Sequence, residues 1–424
     1  MEVQLPFCIL NLDKKDYALK YFDSYLNQIP ICKTTFGWHE VLPNRLIKLN
    51  FSYQKLLFSL LLDKYTLYVL RNELNRSDFM LFNYLKCSRA VPVSLLKKVL
   101  LLLDIPFDSI NSEIIWLSGI NNPKLPFRLS NRFGAEIRMA FLSDGHNPKD
   151  PSKNVKYQAG ELESHKRIIR FMKLIFGEFS VRTYIEGVNK HQSYFPCIVG
   201  DILEMSGVPR GNKTRVNPYI PKDVFTDPLL LKFALQRSFT DEGSCSVKYN
   251  SIRIERNVDV TNFFDGDIKI KNIKCFCLGE YRNYFDKYFN NLILGEYLAL
   301  LSMGIGCSLK PSKINNNNDR TITLTWRIDI TGIGNLRKFY ANIGFLLNSK
   351  NERLDEIFIK YRKYDRFEDS LSALDKLSKN KELFTHQEFA SILNVNPNRG
   401  IFHLRRLINK NKVKRESHNK YCKM

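Results

Sequence analysis

Two short stretches place the strongest constraint on this chain. One is Ile137-Arg138-Met139-Ala140-Phe141-Leu142-Ser143-Asp144-Gly145; the other is Leu235-Gln236-Arg237-Ser238-Phe239-Thr240-Asp241-Glu242-Gly243. Each is an apolar segment that closes on an acidic residue and then a glycine. Asp144 and Glu242 stand 98 positions apart (242 − 144), a spacing that suits one small α/β half-domain. The repetition implies one unit used twice, with two carboxylates meeting where the units join. The plain alternative is a pair of helices that each end on an acidic residue and a C-cap glycine, a common stop signal.

Composition narrows the partners. The chain has 424 residues, 44% of them hydrophobic, and a formal charge of +22 from 65 basic and 43 acidic residues. That length favours more than one domain, and that charge predicts attraction to polyanions, nucleic acid first. No apolar run reaches the roughly 18 residues needed to span a bilayer, and no secretory signal pattern opens the chain. Neither a membrane nor a small-molecule substrate is expected. The nine cysteines are odd in number and irregular in spacing, which fits reduced thiols in the cytoplasm better than a disulfide framework. In a prokaryotic source the protein would sit with the nucleoid. Cys275-x-Cys277 has no second pair, which argues against zinc.

Four regions are expected. Residues 1–128 form an N-terminal region whose stretch at about 65–105 reads as a helix-turn-helix. Thr66 to Leu74 is a helix, Asn75-Arg76-Ser77 a turn, Asp78 to Cys87 a second helix, and Val93 to Leu103 a third after Pro92. This order is similar to that of phage repressors, in which the second helix enters a major groove. Arg76, Lys86 and Arg89 are its candidate DNA contacts. The plain alternative is a three-helix bundle.

Residues 129–222 and 223–350 are the two repeated units, joined near the Asn217-Pro218-Tyr219-Ile220-Pro221 linker. In the first, a helix from Ser130 or Asn131 leads to Asp144. Val155 to Gln158 reads as a strand, Glu161 to Phe176 as a helix and Phe179 to Val188 as a strand, with Phe195 to Ile198 as its possible partner. Gly207 to Thr214 lacks the spacing of a phosphate loop, because Asn212 separates Gly211 from Lys213. It reads as a surface turn offering Arg210 and Lys213 to phosphates. In the second unit, Leu229 to Thr240 is the helix, Tyr284 to Met303 a long helix, and Ser308 to Ile314 and Thr321 to Ile330 paired strands. Candidate nucleic-acid contacts across the two units are Lys149, Lys153, Lys156, Arg182, Arg210, Lys213, Lys248, Arg253, Arg256, Lys310, Lys313, Arg320 and Arg327.

The two opening stretches resemble the signature of the LAGLIDADG (DOD-type) homing endonucleases in their single-chain, two-repeat form. The resemblance rests on Phe141-Leu142-Ser143-Asp144-Gly145 and Phe239-Thr240-Asp241-Glu242-Gly243, and it covers roughly residues 130 to 350. It implies an α+β fold of two pseudo-symmetric αββαββα units forming a DNA-binding saddle, a monomer with internal two-fold symmetry. It implies Asp144 and Glu242 as catalytic residues. Together with Gly145 and Gly243 they would bind Mg²⁺, a cation that suits oxygen ligands and assists phosphodiester hydrolysis. The chain departs from the family at the third motif position, where Met139 and Arg237 replace a small residue. Ala140 and Ser238 supply a small residue one place later.

Residues 351–424 read as a charged connector followed by a segment resembling a winged helix-turn-helix. Thr385 to Glu388 is a capping box, Arg399 to Ile408 a second helix, and Lys410 to Tyr421 a wing. Arg399, Arg405 and Arg406 face outward. The leading functional expectation is a site-specific, metal-dependent endonuclease on double-stranded DNA, of the kind used in intron homing. The alternatives are a DNA-binding transcription regulator on the same scaffold with cleavage lost, and an intron RNA splicing factor (maturase).

Overall fold

The computed structural model describes residues 15–185, 191–263, 288–319, 321–365, 367–393, 395–417 and 419–424. Cys275, Cys277, Arg320 and the first turn of the helix expected from Tyr284 lie outside them. The fold is a mixed α+β arrangement of many helices and small antiparallel sheets. It divides into two compact units: Met1–Ser246 with Ser251–Lys350, and Val247–Asn250 with Asn351–Met424. Among the described residues, no helix is long and apolar enough to cross a membrane.

The larger unit begins with helices Phe51–Lys64, Leu67–Leu74, Asp78–Leu85 and Val93–Leu102. Thr66 caps the second of them by accepting from Val69 N, and Asn75 closes it in the left-handed conformation at φ 50°. These helices accompany a four-stranded sheet in the order Val91–Pro92, Leu46–Leu49, Ile114–Leu117, Ile120–Asn121. Strands of two to four residues leave too little alternation for a period-two pattern to register.

The centre of the unit is built from two inner helices, Arg132–Leu142 and Pro228–Asp241. Asn131 caps the first by accepting from Phe133 N and Gly134 N at 3.0 Å. Asp227 caps the second through Leu229 N at 2.8 Å and Leu230 N at 3.1 Å, with Pro228 in its first turn. Each cap contributes about 1 kcal/mol. The first helix is buried on every side from Gly134 to Leu142, so it is a core element with no solvated stripe.

The same order of elements follows each inner helix. After the first come strands Gly145–His146 and Val155–Ala159, helix Leu162–Phe176, strands Arg182–Ile185 and His191–Phe195, and helix Cys197–Met205. After the second come strands Ser244–Ser246 and Ser251–Asp259, helix Asn291–Ser302, strands Ser308–Asn316 and Ile322–Thr331, and helix Ile333–Asn342. Numbering the strands within each set, both sheets run in the order 1-2-4-3. The strand expected over Phe195 to Ile198 lies earlier, because Pro196 fixes an extended N-cap and starts the Cys197–Met205 helix.

Gly145 and Gly243 do not terminate their helices by a left-handed turn. Their requirement is close approach: a Cβ on Gly145 would lie 2.5 Å from Phe141 Cα, and one on Gly243 would lie 2.4 Å from the Phe239 carbonyl oxygen. Both phenylalanines are buried and meet aromatic neighbours edge-on, Phe141 against Phe195 at 5.9 Å and Phe239 against Phe339 at 5.0 Å.

The smaller unit holds helices Phe367–Ser378, His386–Ile392 and Pro397–Asn409 and a sheet in the order Phe384–Thr385, Lys420–Lys423, Val413–Ser417. Leu374, Phe384, Phe389, Leu404, Leu407 and Val413 form its core. The capping box is present, with Thr385 and Glu388 each accepting from the other's backbone N–H. Gly400 lets the last two helices approach, since a Cβ there would lie 2.6 Å from Ala390 Cβ.

Candidate functional site

The feet of the two inner helices meet in a cluster of ionised groups. Arg256, from strand Ser251–Asp259, is buried and reaches four partners. Its Nη1 donates to Glu242 Oε1 at 3.0 Å, and its Nη2 to Glu296 Oε1 at 2.9 Å, Ser238 Oγ at 2.6 Å and Ser143 Oγ at 3.0 Å. Ser238 also donates to the fully buried Glu296. Arg237 donates to Asp241 Oδ1 at 2.8 Å, and Tyr157 donates to the same oxygen at 2.9 Å. Across the helix pair, Arg237 Nη2 stands 4.0 Å from Glu136. Glu136 is in turn held by Arg167 through two contacts of 2.8 Å.

Each helix also ends against a lysine. Lys213 donates to the Phe141 and Ser143 carbonyls, and Lys350 to those of Thr240 and Gly243. A cation on the exposed carbonyls of a helix C-terminus opposes the negative end of the helix dipole.

The balance of charge in this cluster decides its chemistry. Among the described residues, the carboxylates of Glu136, Asp144, Asp241, Glu242 and Glu296 share this region with the cations of Arg167, Lys213, Arg237, Arg256 and Lys350. Burial, then Asp241 and Glu242, push the Asp144 carboxyl up to about 7, while Lys213 and Arg256 pull the other way. Burial draws the Lys213 ammonium down to about 8 against the pull of Glu242. Burial also raises Asp241, in spite of Arg237.

Some of the oxygens that a bridging Mg²⁺ ion would use are already taken by protein donors. Such an ion takes oxygen ligands and keeps several waters; here Glu242 Oε1 holds Arg256 and Asp241 Oδ1 holds Arg237 and Tyr157, while Asp241 Oδ2 has no hydrogen-bond partner among the described residues. Lys213 and Arg256 lie near the carboxylates and offset part of their mutual repulsion. Among the described residues no group of three or more His, Cys, Asp or Glu side chains is placed to hold a metal.

The basic residues expected at a nucleic-acid surface fall into two groups. Arg210, Lys213 and Arg256 are turned inward, which corrects the expectation that they face phosphate. Arg210 is engaged by Asp201 and Glu204 at 2.6 Å each, and the other two belong to the cluster above. The physical reason is the same for all three, since a buried carboxylate or carbonyl needs a cation more than the surface does. The others lie nearer solvent. Lys149, Lys153, Arg182, Lys248, Lys310 and Lys313 are exposed, and Lys156, Arg253 and Arg327 are half-buried. Arg253, Lys310 and Arg327 converge on Asp329, each at 3.0 Å. Arg327 also stands 4.0 Å from Glu255, so these three cations meet two acids on that sheet face.

In the N-terminal helices, Asp78–Leu85 presents Phe79 and Phe82 to solvent, 70% and 42% exposed. Its outward face is therefore apolar, and Lys86 and Arg89 lie beyond its C-terminal end, with Arg76 half-buried in the preceding turn. In the smaller unit, Pro397–Asn409 exposes Phe402 and Arg405, with Arg399 and Arg406 half-buried. The neighbouring hairpin exposes Lys414, Arg415, Lys420 and Lys423.

Sequence reasoning missed Glu136, Tyr157, Arg167, Glu296 and Lys350. Glu296 carried a signal: it is the one acidic residue in the apolar run Asn291–Ser302. Arg237, which breaks the expected small-residue pattern, was the other signal.

No family model and no curated protein matches the chain. A solved structure of full-length DUF199/WhiA from Thermatoga maritima is similar to it at 13% identity and a TM-score of 0.32, over 68% of this chain and 93% of that one. A likeness this slight carries no argument about function. The expected membership in the LAGLIDADG homing endonucleases does not hold: no family model supports it, and a solved structure similar to the chain is of DUF199/WhiA. The nine-residue stretches that suggested it are buried helix ends whose facing positions hold an ionic network.

Proposed function

We propose that the chain is a DNA-binding protein of regulator type, in which the inner helices are scaffold and their carboxylates are held by protein cations. The observation that carries DNA binding is the smaller unit's helix Pro397–Asn409. It exposes Arg405 and Phe402 beside a hairpin bearing Lys414, Arg415, Lys420 and Lys423. A basic helix next to a basic hairpin suits a major groove and its flanking phosphates. In this reading the two repeats of the larger unit form a pseudo-symmetric saddle, and the cations around Asp329 face the duplex backbone. The protein acts as a monomer.

A +22 chain held by phosphate contacts loses affinity linearly in log salt, at about −0.9 per phosphate neutralised. Fluorescence anisotropy on duplex DNA over a salt series tests this. Tight, steeply salt-dependent binding supports the reading, and absence of binding at low salt removes it.

The second reading is Mg²⁺-dependent cleavage by Asp144 and Glu242. The observation that favours it is the mutual influence of Asp144, Asp241 and Glu242. The cations among them weigh against it.

A further inference from the structure

We infer that the cavity beside the foot of the first inner helix is a phosphate-binding pocket. This rests on the nucleic-acid reading only for one of the two possible sources of the phosphate. The cavity measures 760 Å³ and its lining includes His146, Lys149, Asp150, Lys153, Asn212, Lys213 and Thr214. Two exposed ammonium groups, those of Lys149 and Lys153, share the lining with one carboxylate, since the Lys213 ammonium is turned to the Phe141 and Ser143 carbonyls; that carboxylate is hydrogen-bonded locally. Asp150 Oδ1 accepts from Ser152 N at 2.9 Å and Ser152 Oγ at 2.7 Å. The cavity therefore holds a net positive charge with little internal compensation for Lys149 and Lys153, both exposed.

The walls are fixed in place. Buried Asn147 donates to the Gly200 and Val208 carbonyls at 3.1 and 3.2 Å, and its own carbonyl accepts from Gly211 N at 2.8 Å. Arg210 bridges the same two loops, donating to Asn147 Oδ1 and the Pro148 carbonyl at 3.3 Å while anchored on Asp201. Gly211 forms part of the lining with φ +91°, and a Cβ there would meet only Lys149 Cβ at 4.0 Å. Bare backbone therefore stays accessible under the lysines. Asn212 turns the chain by accepting from Thr214 N at 3.0 Å and Thr214 Oγ1 at 2.7 Å. Hydrogen-bonded loops, two exposed lysines in the lining and an acid already engaged by Ser152 suit a phosphate oxyanion.

The phosphate comes either from a duplex backbone or from a free phosphate compound. The full chain and a Lys149→Gln/Lys153→Gln variant would be titrated with a mixed-sequence duplex over a salt series, and with inorganic pyrophosphate by calorimetry. Lys48→Gln/Lys55→Gln, at exposed positions outside the cavity lining, is the charge-matched control. A backbone source predicts a salt slope lowered by about 1.8 in the cavity variant and a smaller change in the control. A free source predicts pyrophosphate binding that the cavity variant abolishes and the control retains. The proposal is overturned if both ligands behave alike in the wild type and the cavity variant, or if the control matches the cavity variant's loss. Should the chain bind no duplex, the DNA reading fails while the pyrophosphate titration still decides the pocket.

Discussion

Arg256 Nη2 donates to Ser143 Oγ at 3.0 Å, and through that bond a strand of the second sheet holds the foot of the first inner helix. The same guanidinium is shared between Glu242 and Glu296. One side chain therefore joins the two repeats.

Replacing Arg256 tests that role. Arg256→Met leaves Glu296 buried without its cation, and breaking a buried pair in this way costs about 3–5 kcal/mol. Chemical denaturation should show a loss of this size, with much of it recovered in Arg256→Met/Glu296→Gln. A double variant as unstable as the sum of the single changes would contradict the pairing.

Stability should depend on pH in a way set by Asp144 and Lys213. The folded Asp144 titrates at about 7 against an ordinary 3.8, so between these values the folded state binds more protons than the unfolded. Stability from this group is full below about 4 and falls as pH rises to 7. Lys213 titrates at about 8 against 10.5, so there the unfolded state binds more protons, and stability rises with pH across that window. Between 7 and 8 both groups are charged and both contributions are at their lowest. Asp144→Asn is expected to raise the melting temperature at pH 8 relative to wild type, and to change it little near pH 4. A substitution that lowers it at pH 8 would show that ionised Asp144 stabilises the fold.

Gly145→Ala and Gly243→Ala should each be destabilising, by about 1–3 kcal/mol as for other overpacked sites. The added Cβ would strike the backbone of Phe141 or Phe239. Melting curves check this. Unchanged stability would mean that the helix feet yield easily.

These glycines show what the sequence made legible. Their recurrence after Asp144 and Glu242 located both inner helices, and Asn131 and Thr385 marked helix starts where the structure has them. The purpose of the acidic residues was not legible. Arg256 lies on a strand and Glu296 on a helix far along the chain, and only folding brings both to Ser238. Spacing along one helix carries no record of such a cross-element pairing. Arg210 was misread for the same reason, since Asp201 and Glu204 lie on a neighbouring helix that turns back on it. The short strands Leu46–Leu49 and Ile120–Asn121 were invisible because they are stabilised by pairing, with little pattern of their own.

Arg405 is exposed on the helix proposed to read DNA. Arg405→Ala should weaken duplex binding, by about 1–3 kcal/mol for a base contact and with a salt slope reduced by about 1 for a phosphate contact. Anisotropy titration distinguishes the two, and unchanged affinity and slope would remove this helix from the interface.

The central claim is that protein cations hold the paired carboxylates of a DNA-binding scaffold. It is tested most directly by incubating the full chain with a large randomised duplex library and Mg²⁺, then sequencing the bound and the cut molecules. The account predicts enrichment of bound duplexes that remain intact. Mg²⁺-dependent double-strand cuts that disappear in Asp144→Asn or Glu242→Gln would contradict it.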